Sequence, residues 1–321
     1  VYARWAEDLV AKPLVVIEMT ATPSGGGEVF ALDDQDHANA VLSKRLNNSK
    51  AATLVKVGVP RQADEGTKRR KFAERAASET VKLLADAQVV GVVVNRVATA
   101  RAIFDLLRKR EGADAILLTG RVRPLERDDL LSEWWPTIRA GRTGSPKQPV
   151  VLVATQCVEV GADIDLDALV TEIAPLDALR QRFGRLDRLG NRGTAPAIIL
   201  GRSDQIAANA RPDWVYGKAL ANTWRWLADQ GETVDMAIAK LQLPDQEALA
   251  DLVAPQEDAP ALLPSHLDAL ACGSSQAPEV AMLLHGRQSN ADVYIAWRAD
   301  LPPLDDPQVA IATVDMAPPD I

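Results

Sequence analysis

Cysteine and histidine are scarce: the 321-residue chain holds two of the first and three of the second. Cys157 and Cys272 cannot build a disulfide framework or a zinc site, and so low a count suits a reducing cytoplasm. Both are expected as plain core thiols. Of His37, His266 and His285, only His37 adjoins an aspartate, Asp36, so a multi-ligand His/Asp metal centre cannot be assembled and no metal site is expected. Long apolar runs are also missing, and no stretch reaches the roughly 20 residues of a membrane span. The start lacks the charged-then-apolar plan of a signal peptide. The chain opens on Val1 without a methionine, which reads as a fragment. There is no GxxxxGK[ST] phosphate cradle: Gly217-Lys218 lacks both the earlier glycine and the following hydroxyl. Positive charge is not in excess either. The formal net charge is -8, and beyond Lys240 the only basic residues are Arg287 and Arg298. Any surface facing a polyanion is therefore expected in the first two-thirds of the chain.

What is present is strand–helix alternation. Short apolar, β-branched runs at 13–19, 53–57, 89–95, 115–119, 149–155, 168–174 and 195–200 read as strands. Helical spacing of apolar residues marks 67–86, 98–110, 124–135 (opened by Pro124) and 176–183. This order predicts an α/β fold with a parallel sheet covered on both faces. After about residue 205 the pattern shifts to a Trp-rich helical segment, a Pro-rich stretch over 244–264, and two strands at 280–286 and 291–301. Residues 205–321 therefore read as a smaller mixed accessory domain. Trp134, Trp135, Trp224 and Trp226 are expected to anchor packing rather than stack on bases.

The chemistry concentrates in Gln181-Arg182-Phe183-Gly184-Arg185-Leu186-Asp187-Arg188. Arg185 and Arg188 are three apart at the end of a short helix, a spacing that puts side chains on one helix face. Guanidinium forks aimed at one point suit a triphosphate, and Gly184 lets the backbone pass close to a ligand or a neighbouring strand. Upstream, Thr155 to Asp165 follow a buried strand, where open α/β sheets bind ligands. The Thr155 hydroxyl and adjacent N–H groups can hold a phosphate. Asp163 or Asp165 can accept from a hydroxyl or pair with an arginine. The bland alternative is a solvated helix end whose arginines pair with Asp187 or Asp177.

TQxxExGxDID over 155–165, followed by QRxGRxxR over 181–188, resembles motifs V and VI of superfamily 2 helicases. The wording of the whole 169–193 stretch resembles the CRISPR-associated type I helicase–nucleases. Thr20-Ala21-Thr22 is similar to motif III, Asn95-Arg96-Val97 to motif IV, and Thr119-Gly120-Arg121 with Arg127 to the next nucleic-acid-contacting segment. Leu284-His285-Gly286 and Trp297 to Leu301 resemble subtype I-G, formerly I-U.

The resemblance implies a RecA-like second helicase lobe over 24–204, with the tail of a first lobe over 1–23 and the accessory domain over 205–321. In such a motor Arg185 would be the arginine finger on the γ-phosphate, with Arg188 as second charge partner and Gln181 placing water or phosphate. Gly161, Asp163, Asp165 and Gly184 would line the nucleotide, and Thr20 and Thr22 would couple hydrolysis to lobe movement. Asn95, Arg96, Thr119, Arg121, Arg127, Thr155 and Gln156 would meet single-stranded DNA. ATP and Mg²⁺ are the implied cofactors, held mainly by an absent first lobe. The implied partners are that lobe, an HD nuclease and a CRISPR effector complex with its guide RNA. The implied activity is ATP-dependent DNA translocation in a cytoplasmic parent protein, with this chain inactive alone. The rival reading is a non-catalytic or split-subunit DNA-binding lobe that completes a P-loop partner in trans. A restriction-type translocase is a third.

Overall fold

The computed structural model describes residues 32–255. The expected strand and motif III at 13–22, the strands at 280–301 and the subtype wording lie outside them. The elements run α1 (Asp34–Ala38), α2 (Ala40–Asn47), β1 (Ala51–Val57), α3 (Glu65–Leu83), β2 (Val89–Val93), α4 (Val97–Leu107), β3 (Asp114–Leu118) and α5 (Pro124–Ile138). They continue through β4 (Val150–Ala154), a 3₁₀ turn (Gln156–Val158), β5 (Ala168–Glu172), α6 (Leu176–Phe183), β6 (Ala197–Arg202), α7 (Ala219–Ala228), β7 (Thr233–Asp235) and α8 (Gln246–Ala250). One sheet forms in the order β3-β4-β2-β5-β6-β1-β7. All its pairings are parallel except β1–β7.

Burial explains the strand sequences. β2 (VVGVV), β4 (VVLVA) and β5 (ALVTE) are central and buried at every position, so their apolar runs are unbroken. β3, at the edge, is buried on one face and only partly buried on the other, so it alternates. Successive residues point to opposite faces: Val150 and Leu152 join one core with Ile138, Leu176, Leu179 and Phe183, while Val151 and Val153 join another with Phe72, Ala76, Ala100 and Ile103. Helices α3 and α4 thus cover one face, and α5, α6 and α7 the other. Gly91 in β2 sits so close to Leu166 that an added Cβ would come within 2.4 Å of its side chain. Among the described residues no helix is long and apolar enough to cross a membrane.

The expected boundary at 204/205 does not coincide with a break in the fold. β7 lies beyond it yet pairs antiparallel with β1, and Trp224 on α7 packs over Gly201 of β6. The sequence reading missed β7 because three residues carry no usable alternation. Trp134, Trp135, Trp224 and Trp226 are partly buried against the core, as packing anchors should be. Cys157, expected in the core, is exposed, because the strand before it ends at Ala154.

Candidate nucleotide and strand-binding site

Helix α6 places the first group of candidates. Leu176, Leu179 and Phe183 recur at helical spacing and are buried against the sheet, which turns Arg180 and Gln181 outward. The helix stops at Phe183, so Arg185 and Arg188 do not share a helix face as expected; they stand on the turn that follows. Asp187 holds that turn in the left-handed region, φ 39°, where a non-glycine residue needs fixing from outside. Its carboxylate supplies the fixing by accepting from Asn48 Nδ2 at 2.9 Å and from Asn191 N at 2.8 Å. Backbone bonds from Leu166 N to Arg185 O and from Asp187 N to Leu166 O, both 2.8 Å, lock the rest.

The outcome is still convergence. Gln181, Gly184, Arg185 and Arg188 line one cleft of about 280 Å³ together with Lys50 and Arg180. Arg185 donates from Nε to Val158 O at 3.0 Å and from Nη2 to Glu159 O at 2.5 Å. Burial, then the nearby Arg188 guanidinium, lowers its pKa from the ordinary arginine value. Arg188 Nε lies 3.2 Å from Asp163 Oδ1 in a largely exposed pair. Lys50 enters from the start of β1, its ammonium donating to Phe183 O at 2.7 Å. Burial pushes the Lys50 pKa down to about 8, against the pull of Asp187. Sequence reading missed Lys50, since a lone lysine before a strand carries no signal. Asp165 turns away from the cleft: its Oδ1 accepts from Arg188 N at 2.7 Å, so it braces the turn, and burial raises its pKa. Gly161 supplies a positive-φ turn, at 74°, outside the cleft lining. Among the described residues no group of three or more His, Cys, Asp or Glu could hold a metal ion.

Beneath the cleft lies Arg182, fully buried and given no role from sequence. Its Nε donates to Glu159 Oε1 at 2.8 Å, Nη1 to Thr171 Oγ1 at 2.9 Å and Glu172 O at 3.0 Å, and Nη2 to Asn95 Oδ1 at 2.8 Å. A signal existed: residue 182 falls on the α6 face that Leu179 and Phe183 bury. One guanidinium thereby ties the segments around residues 95, 159 and 182.

Residues 86–191 match the family model described as CRISPR-associated nuclease/helicase Cas3, C-terminal. This stretch is a Cas3-like C-terminal region. The Cas3 nuclease/helicase of Streptococcus thermophilus is 29% identical over 49% of this chain and 16% of that protein. The Thermus thermophilus Cas3 endonuclease/helicase is 32% identical over 43% of this chain and 14% of its own. The crystal structure of T. fusca Cas3 with AMPPNP is 22% identical, covers 64% of this chain and 24% of that one, and has a TM-score of 0.48. The chain spans only about a sixth of the length of the curated relatives it matches.

Within the Cas3-like region the remaining candidates share one rim. Asn95 and Arg96 follow β2, Thr119 and Arg121 follow β3, and Thr155 and Gln156 follow β4, and these strands are neighbours. Their side chains divide, however. Asn95, Thr119 and Thr155 are buried, and Asn95 is consumed internally, donating to Ile173 O at 2.8 Å and accepting from Arg182. As folded, these three residues expose almost nothing along the rim. Gln156 is bound to Asn95 O at 2.9 Å and the Tyr216 hydroxyl at 2.5 Å. Arg96 donates from Nη2 to both carboxylate oxygens of Asp213, at 2.8 and 2.9 Å, so its charge is already met. Arg121 and Arg127 are exposed. Thr20 and Thr22 lie outside the described residues.

Proposed function

We propose that this chain is the second lobe of an ATP-driven single-stranded DNA translocase acting in CRISPR type I interference. The observation that carries the reading is the cleft where Gln181, Arg185 and Arg188 meet Lys50. Several cationic groups face one small space whose only acid, Glu159, is already paired with Arg182. That space fits the terminal phosphates of ATP, where a guanidinium neutralises charge that spreads during transfer. A first lobe would supply the phosphate cradle and hold Mg²⁺. Arg185 would face the γ-phosphate, Arg188 would release Asp163 to join it, and Gln181 would orient water or phosphate. The rim of β2, β3 and β4 would carry the DNA strand, with Arg121 and Arg127 on its phosphates. The names of the curated relatives support the CRISPR setting, and an effector complex carrying guide RNA, together with an HD nuclease, would be the partners. A split-subunit lobe acting in trans shares the same cleft.

The test is DNA-stimulated ATP hydrolysis by the chain alone and with a P-loop lobe added in trans. Silence alone, activity on addition and its loss in Arg185→Ala are expected. Hydrolysis by the isolated chain at full rate would overturn the half-motor reading.

A further inference from the structure

Beside the rim residues, across the C-terminal ends of β2, β5 and β6, opens a second cleft of about 1130 Å³. It is lined by eight lysines and arginines but four acids, although the chain as a whole carries a net charge of -8. The acids are all engaged. Asp204 and Glu65 pair with Arg202 and Lys68, Asp213 with Arg96, and buried Glu172 accepts from Asn95 N at 2.8 Å. Arg61, Arg69, Arg211, Lys218 and Arg225 are left over, and none is in an ion pair with a described residue. Such a concentration of unpaired cations attracts a polyanion by counterion release.

Among them stands Trp214, 85% exposed, an unusual state for so large an apolar ring. Its position is fixed. Asp213 and Gly217 exchange backbone bonds of 2.7 and 2.8 Å, and Asp213 Oδ1 accepts from Val215 N at 2.8 Å and Tyr216 N at 3.0 Å, closing the loop 213–217. The Arg96 guanidinium lies 4.6 Å from the ring centroid, within cation–π range, and most of the ring is left to solvent. Tyr216 joins the same loop to Gln156. An exposed indole on a closed loop, braced by one guanidinium in a cleft lined by cations with no ion pair among the described residues, suits a flexible polyanion with flat apolar faces, which is a nucleic-acid strand with unstacked bases. An acidic peptide would use the cations but not the ring.

We propose that Trp214 is a base-stacking platform, with Arg61, Arg69, Arg211, Lys218 and Arg225 on the phosphates, extending the strand path beyond the Cas3-like region at 86–191. The proposal rests on the strand-binding reading above. Arg96, on this view, is a positioning residue that holds the loop and ring.

The experiment is fluorescence anisotropy of the full chain with a labelled oligothymidylate and with its abasic counterpart. Trp214→Ala should weaken oligothymidylate binding about tenfold and Trp214→Phe less than about threefold, since stacking needs only a ring. The abasic strand should bind wild type and Trp214→Ala alike. Arg211→Glu with Lys218→Glu should flatten the salt dependence by about 1.4 in log–log slope, two contacts' worth on a single strand. A 5-iododeoxyuridine strand should crosslink to the peptide holding Trp214 in the unaltered protein, a readout independent of any variant's folding. Equal binding by wild type and Trp214→Ala, with affinity lost in Arg121→Glu/Arg127→Glu, would overturn the platform and spare the strand-binding reading. No binding of oligothymidylate by wild type at about 50 mM salt would overturn both.

Discussion

In the α6 cleft the key guanidinium is held by carbonyls: Arg185 leans on Val158 O and Glu159 O, and its positive charge stays available. In the cleft beyond β6 two of the wall arginines are instead held by carboxylates, Arg96 by Asp213 and Arg202 by Asp204 and Glu65. Their charges are met inside the protein, and what they offer is position. On the proposed function, the difference separates a guanidinium placed to act on a ligand from one placed to hold a neighbour, a distinction that residue identity alone does not reveal.

Several substitutions sharpen that contrast. The largest effect belongs to Arg185→Ala, expected to lower DNA-stimulated hydrolysis by the two-lobe motor roughly 10³–10⁵-fold while leaving the melting temperature almost unchanged. Arg96→Ala should not approach that loss; if it does, the comparison fails. Next comes Arg182→Met, which leaves Glu159, Asn95 and Thr171 without their partner and should cost about 3–5 kcal/mol in urea unfolding. Asp213→Ala unpairs the one-third-exposed Arg96 and frees the loop, for about 1–3 kcal/mol, with a loss of oligothymidylate affinity resembling that of Trp214→Ala.

The smallest effect is a pH dependence. Lys50 has a pKa near 8 in the fold and the ordinary 10.5 when unfolded, so between those values the unfolded chain binds more protons. Stability from this group therefore rises as pH goes from about 8 to 10.5 and is flat outside that window. Urea midpoints should show the rise in wild type and lose it in Lys50→Met. Nucleotide affinity should move the opposite way over the same window, because the cleft gives up a charge.

Much of this was legible beforehand. The strands of the sheet from 53 to 200 announced themselves because central parallel strands are apolar throughout, and Pro124 marked a helix start. Gln181, Arg185 and Arg188 could be grouped from spacing, although the reason offered, a shared helix face, was not the one the fold uses: a turn held by Asp187 brings them together. Other features depend on distant pairings that no local pattern encodes. Lys50 and Phe183 are 133 positions apart, and Gln156 meets Tyr216 across 60. Asn95 illustrates the opposite error. A polar residue after a strand looks free to bind, yet its amide is taken up by Arg182 and Ile173.

Arg182 also bears on how such a lobe could do mechanical work. A buried cation bonded simultaneously to three separate segments resists shear between them, since sliding any one breaks charged contacts of a guanidinium that is itself shut off from solvent. The α6 turn, the segment after β4 and the end of β2 must then travel together. Under the proposed motor function, this lobe would be the stiff lever, and the working stroke would be a rotation of the whole body rather than a deformation within it.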